Sequence, residues 1–193
     1  MSFTNPNPSM QNNKLQKSAL FLDRDGVINR QIPGDYISDW SQFEFLPGVI
    51  DALKLLQKRY APIVVVTNQQ GIGKGLMQVE QLHAVHYYMR KVLAEKGVKL
   101  DSIYFCPNLE QDQSECRKPN TGMALLAKAD YPSIDFSRSV LVGDSDSDIA
   151  MGQQMGMFTV KINPNKRSDD PLISSDLQVG SLWEWASQGG GIL

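Results

Sequence analysis

The chain has 193 residues, 41% of them apolar, with 19 basic side chains against 21 acidic ones. That length can bury one substantial core, and the near balance of charge argues against the basic stripe that nucleic-acid backbone binding requires. There is no run of about 18 apolar residues, and the opening MSFTNPNPSMQNNKLQK lacks the apolar stretch of a secretory signal, so a cytoplasmic protein without a membrane span is expected.

Residues 1–17 are rich in Asn, Gln, Ser and Pro without periodicity and read as a flexible tail, leaving 18–193 as a single domain. The first structured element is 19–22 (ALFL), a short continuous apolar run that ends in acidic residues. A helical pattern follows at 49–60 after Pro-Gly, then a β-branched strand at 63–66 (IVVV) that ends at Thr67. Next come a helix at 79–96, a strand at 103–105, a helix at 122–131, a strand at 139–142 that ends at Gly143-Asp144, a helix at 149–155 and a strand at 158–162. Strands that alternate with helices in this way predict a doubly wound α/β fold, a Rossmann-like sheet of five to six mainly parallel strands flanked by helices. The stretch from Lys166 onward, with Trp183 and Trp185, is expected to cover the sheet with a last short element.

In such sheets ligands bind outside the carboxyl ends of the strands. There the sequence places Asp23, Thr67 and Asp144, with Asp25 two residues beyond Asp23. A D-x-D pair alone is common, and singly each residue has a plainer reading: Asp23-Arg24-Asp25 as a strand-end turn, Thr67 as a strand-end cap, Lys118 as a surface lysine, Asp144 and Asp148 as a helix N-terminus. Taken together, at strand ends on one sheet edge, they point instead to catalysis, and a phosphate monoester is the substrate whose chemistry such a set would serve. A phosphate dianion and an aspartate nucleophile repel each other, and a hard divalent cation such as Mg²⁺, held by Asp23, Asp144 and the Asp25 backbone carbonyl, would offset that repulsion. Asp23 would attack phosphorus to form an aspartyl-phosphate, while Asp25 would protonate the leaving alkoxide and then activate water.

The motifs FLDRDG (21–26), VVVTN (64–68), RKP (117–119) and VGDSDSD (142–148) resemble, in order, those of the haloacid dehalogenase superfamily. The resemblance implies Asp23 as nucleophile, Asp25 as general acid and base, Thr67 and Lys118 as phosphate ligands, Asp144 as metal ligand and Asp148 as a more distant metal contact. Only 41 residues separate Asp25 from Thr67 and 50 separate Thr67 from Lys118, which leaves no room for a cap domain. TNQQGIG, YFCPN and CRKPN are similar to the heptose bisphosphate and histidinol-phosphate phosphatase subgroup, and FEFLPGVIDA and RKPNTGM lean towards its heptose branch. That similarity implies removal of the 7-phosphate of D-glycero-D-manno-heptose 1,7-bisphosphate, on the route to lipopolysaccharide core or other surface glycans, with Asn68 and Arg117 touching substrate. The expected partner is a small sugar bisphosphate and the expected state a monomer. Histidinol phosphate or another small phosphomonoester is the alternative substrate, and a non-catalytic binding module the alternative class.

The subgroup typically holds a structural zinc with a C-x-H and a C-x-C pair. Here the pairs read Cys106-Pro107-Asn108 and Ser114-Glu115-Cys116, so no zinc is expected and free thiols are the default reading. His83 and His86 read as ordinary surface or packing residues of their helix. Ser145 stands where some heptose enzymes carry lysine, a charge that Lys74 could replace, and the loop 29–45 is longer than usual around IPGDY (32–36).

Overall fold

The computed structural model describes residues 17–164 and 174–191. The expected tail, apart from Lys17, lies outside the described residues, as do positions 165–173 and 192–193 of the C-terminal stretch.

Six strands form one parallel sheet in the order β3-β2-β1-β4-β5-β6: β1 is Ser18–Leu22, β2 Tyr60–Asn68, β3 Ser102–Cys106, β4 Val140–Gly143, β5 Phe158–Ile162 and β6 Leu177–Val179. The helices are α1 (Val49–Leu56), α2 (Val79–Glu95), α3 (Gly122–Asp130), α4 (Asp146–Gln154) and α5 (Leu182–Ser187). The doubly wound α/β class expected from the sequence is therefore observed, with every strand pair parallel and, among the described residues, no cap between the sheet and solvent. None of these helices is long and apolar enough to cross a membrane.

Because successive strand residues face opposite ways, β1 feeds two cores. Leu20 and Leu22 pack with Leu53 and Leu56 of α1, Met89 of α2 and Trp185 of α5, whereas Ala19 and Phe21 pack with Met123 and Ala127 of α3 and Met151 of α4. Phe21, Leu20 and Leu22 are wholly buried, each burial stabilising the fold by roughly 1.5–3 kcal/mol, which fixes β1 at the centre of the sheet. On the first face Trp185 of α5 stacks on Tyr60, the opening residue of β2, with ring centroids 6.0 Å apart.

Three boundaries differ from expectation. The helix expected to reach residue 60 stops at Leu56, and Tyr60 begins β2, since its buried ring is needed beneath Trp185. The register between β1 and β2 shifts between Ser18 and Leu20, opposite Pro62, which has no N–H to give to a ladder. The helix expected at 149 begins at Asp146, because the Asp148 side chain reaches back to accept from the Ser145 N–H at 3.1 Å and so closes the first turn.

Candidate active site

Three neighbouring strands deliver the chemistry to one edge. The chain leaves β1 at Asp23, whose N–H still bonds to Val142 O of β4 at 2.9 Å, so the position of Asp23 is held by the ladder itself. β2 ends in Thr67 and Asn68, and β4 ends at Gly143, directly before Asp144 and the first turn of α4 with Asp148. Lys118 arrives on the loop after β3, pinned there by Asn68, which accepts from Lys118 N (3.0 Å) and donates to Lys118 O (3.2 Å).

Lys118 is the hub of the cluster. Its Nζ donates to Asp23 Oδ1 (2.8 Å), Asp148 Oδ1 (2.5 Å) and Val66 O (2.8 Å), which occupies all three ammonium protons. Burial works against its charge, yet Asp148 and Asp23 hold its pKa above the usual lysine value. Burial pushes Asp23 up to about 8 against the pull of Lys118, with Asp148, Asp144 and Asp25 adding their repulsion. Asp144 is pushed up to about 6, by burial first and then by Asp148. Four carboxylates (Asp23, Asp25, Asp144 and Asp148) thus face two cations (Lys118 and Arg24), and the site is short of positive charge.

Carboxylate oxygens of Asp23, Asp144 and Asp148 lie within 4.8 Å of one another, an all-oxygen set that fits a hard divalent cation. Two glycines permit this approach. A Cβ on Gly26, whose φ is +82°, would stand 2.0 Å from Asp144 Oδ2, and one on Gly143 would stand 2.1 Å from Asp148 Cβ. The Asp25 carboxylate is not part of the set.

Asp25 faces a second network instead. Its carboxylate accepts from Arg24 Nη2 (2.9 and 3.0 Å), Asn29 Nδ2 (2.8 Å) and Gln69 Nε2 (2.8 Å). Burial would raise its pKa, but the Arg24 charge and the hydrogen bonds from Asn29, Arg24 and Gln69 outweigh burial and hold it below the usual value. Gln69 Nε2 also donates to Thr67 Oγ1 (2.9 Å), which leaves the Thr67 hydroxyl proton free to be donated. Sequence reasoning singled out neither Asn29, Gln69 nor Arg24 as functional. The only signal was position, since each lies within four residues of Asp25 or Thr67, and the bonds that tie them together cross up to 45 residues of chain. His86, expected to be an ordinary helix residue, is buried with its ring against Arg24, while His83 is exposed and packs on Phe105.

The site opens through a cavity of about 150 Å³ lined by Asp23, Asp25, Thr67, Lys118, Asp144 and loop residues such as Tyr36. It shares Asn68, Lys118, Ser145 and Ser147 with an outer cleft of about 660 Å³ whose far wall carries Arg117. A larger cavity, about 820 Å³, lies on the other side of Asp144 against Trp183, and touches neither Asp23, Thr67 nor Lys118. The loop 29–45 leans over the inner cavity: Trp40 packs on Tyr88 of α2 at 5.4 Å, and the Tyr36 ring rests on Gly71, where a Cβ would stand 2.7 Å away. Lys74 Nζ lies 5.5 Å from the Tyr36 ring centroid, in a cation–π contact with the loop. Ser145 Oγ hydrogen-bonds to Asp148 Oδ2 at 2.5 Å.

The free thiols expected of Cys106 and Cys116 are not found: the two are joined in a disulfide. The loop after β3 folds back so that their Cα atoms stand 5.4 Å apart, within the range that a disulfide spans. Asn108 Oδ1 approaches both sulfurs, at 3.6 and 3.4 Å, so all the positions of the degenerate motif still converge.

With this geometry in place, comparison with known proteins is informative. Residues 21–170 match the family model described as polynucleotide kinase 3 phosphatase. The chain is 40% identical over 170 residues to the D-glycero-alpha-D-manno-heptose-1,7-bisphosphate 7-phosphatase of Mycobacterium tuberculosis (strain ATCC 25618 / H37Rv), covering 86% of this chain and 88% of that one. It is 43% identical over 138 residues to the D-glycero-beta-D-manno-heptose-1,7-bisphosphate 7-phosphatase of Escherichia coli (strain K12), covering 68% of this chain and 71% of the relative. The crystal structure of the D,D-heptose 1,7-bisphosphate phosphatase from B. bronchiseptica, complexed with magnesium and phosphate, superposes with a TM-score of 0.80 at 29% identity, over 89% of this chain and 97% of that one. Motifs, fold and relatives agree, and the chain belongs to the haloacid dehalogenase phosphatases, within the heptose bisphosphate phosphatase family.

Proposed function

We propose that this enzyme removes the 7-phosphate of D-glycero-D-manno-heptose 1,7-bisphosphate with the help of Mg²⁺, through an aspartyl-phosphate on Asp23. The observation that carries the mechanism is the pairing of Asp23 Oδ1 with Lys118 Nζ at 2.8 Å, at the end of the central strand and beside Asp144. Lys118 holds one oxygen of Asp23, so the other is directed to the cavity for in-line attack. Asp23, Asp144 and the Asp25 backbone carbonyl would hold Mg²⁺, with Asp148 as a more distant contact. When bound, the ion would offset the repulsion between a phosphate dianion and the Asp23 carboxylate. Thr67 and one shared proton of Lys118 would bond to the phosphoryl oxygens.

Asp25, which Arg24 holds as a carboxylate in the free enzyme, would take up a proton as the phosphate dianion enters beside it, give that proton to the sugar alkoxide as it leaves, and take another from the water that cleaves the aspartyl-phosphate. The inner cavity takes a single phosphoryl group, and the outer cleft, with Asn68 at its threshold and Arg117 on its wall, takes the sugar and its second phosphate. The names of the relatives at 40% and 43% identity support this substrate.

The test is phosphate release from both anomers of the heptose bisphosphate beside histidinol phosphate, with and without Mg²⁺, and with Asp23→Asn as the blank. Mg²⁺-dependent turnover of a heptose bisphosphate, exceeding histidinol phosphate by orders of magnitude in kcat/KM, is the expected result. Turnover of histidinol phosphate alone would keep the chemistry and discard the substrate.

A further inference from the structure

Arg24 carries a permanent positive charge, yet only 1% of its surface is exposed. A guanidinium has donors and no acceptor, so it must be surrounded by acceptors when buried. Three groups supply them. Asp25 takes Nη2 and Nε, Gln69 Oε1 takes Nη2 at 3.3 Å, and His86 Nε2, on α2 and 62 residues away in sequence, meets Nη1 at 3.1 Å. Since Arg24 only donates, His86 Nε2 must present its lone pair, with the ring proton on Nδ1. Burial, and then the Arg24 charge, push the His86 pKa down to about 3, which keeps the ring in this accepting form.

The choice of acceptor matters. A carboxylate in place of His86 would compete with Asp25 for the guanidinium, whereas a neutral imidazole satisfies Nη1 and leaves the Arg24 charge turned towards Asp25. The ring is held in turn by Phe105 of β3, with centroids 6.0 Å apart and planes at 63°. A chain of contacts thus runs from β3 through α2 to the carboxylate beside the nucleophile.

We propose that His86 is a positioning residue for phosphoryl transfer: through Arg24 it fixes the orientation of the Asp25 carboxylate towards the departing oxygen of the substrate. This rests on the reading of Asp25 as the proton donor. Without the His86 acceptor, Nη1 is left unsatisfied in a buried place, and the guanidinium turns to find another partner. Asp25 then keeps Asn29 and Gln69 but loses its paired contact with Arg24, so its aim is degraded rather than abolished.

The leaving group provides the discriminating measurement. A sugar alkoxide needs a proton as it departs, and a p-nitrophenolate does not. kcat/KM, which reports the steps up to leaving-group departure, is compared for the heptose bisphosphate and p-nitrophenyl phosphate in wild type, Asp25→Asn, His86→Phe and His86→Gln. Asp25→Asn sets the scale, with a loss of about 100-fold or more on the sugar ester and far less on the aryl ester. His86→Phe keeps the ring but removes the acceptor; it should lose about tenfold on the sugar ester and under about twofold on the aryl ester. His86→Gln, whose amide oxygen can accept from Nη1, should restore both.

Equal losses on the two esters in His86→Phe, no loss on either, or failure of His86→Gln to restore the sugar ester would each overturn the inference. Equal losses on both esters in Asp25→Asn would overturn the reading of Asp25 itself, and the inference with it. Should His86→Phe not fold, His86→Met carries the same comparison.

Discussion

At the scale of single residues the site is a balance between too many carboxylates and too few cations, and Lys118 sits at its pivot. Asp148 is wholly buried, and it answers Lys118 with one oxygen and Ser145 with the other. Removing Asp148 leaves Lys118 paired with Asp23 but strips a buried acceptor from Lys118 Nζ and from Ser145 N–H, so Asp148→Ala is expected to destabilise the fold by roughly 1–3 kcal/mol, read as a lower urea midpoint at unchanged slope. His86 gives a second residue-scale expectation. Its folded pKa of about 3 lies below the ordinary 6.5, so the unfolded chain takes up a proton that the native state refuses. The resulting stability is present above pH 6.5 and lost as pH falls from there towards 3. His86→Gln cannot titrate, and thermal unfolding between pH 7 and pH 4 should show a shallower acid limb for it than for wild type. Of the residues in these networks, Asp23, Asp25, Thr67, Lys118, Asp144 and Asp148 were legible in the sequence because each sits at a strand end or in a short motif. His86 was not, because a helix pattern says which face is buried but not which buried ring meets a guanidinium 62 residues away.

At the scale of elements, β1, β2 and β4 could be read directly, since each carries a short apolar run closed by a polar residue. β6 could not: Leu177–Val179 has three residues with an exposed glutamine at its middle, too little for a periodic signal. The loop after β3 shows how an element can be legible in composition and still be misread. Its two cysteines were visible, but only folding showed that the chain returns on itself to join them. That disulfide closes a segment directly before Arg117, which lines the outer cleft, and Lys118, which bonds to Asp23. Reduction, or the double replacement of Cys106 and Cys116 by serine, is expected to cost roughly 2–4 kcal/mol of stability. It should also raise KM more than it lowers kcat, because the outer cleft is built from this loop whereas Asp23 is held by the sheet. Unfolding curves and steady-state kinetics with and without reductant give both quantities.

At the scale of the whole molecule, strand order converts a linear sequence into a catalytic edge. With β1 between β2 and β4, Asp23, the Thr67 hydroxyl and the acidic turn come from adjacent strands, and Lys118 reaches them on a loop. Because β1 alternates between two cores, helices clamp this edge from both faces. One of those clamps follows every strand in the chain: α5 lies across α1 and sets Trp185 on Tyr60. On the ribosome, the face formed by α1 and the start of β2 therefore stays uncovered until residue 187 has cleared the exit tunnel, so the first half of the fold exposes that apolar surface throughout synthesis of the second.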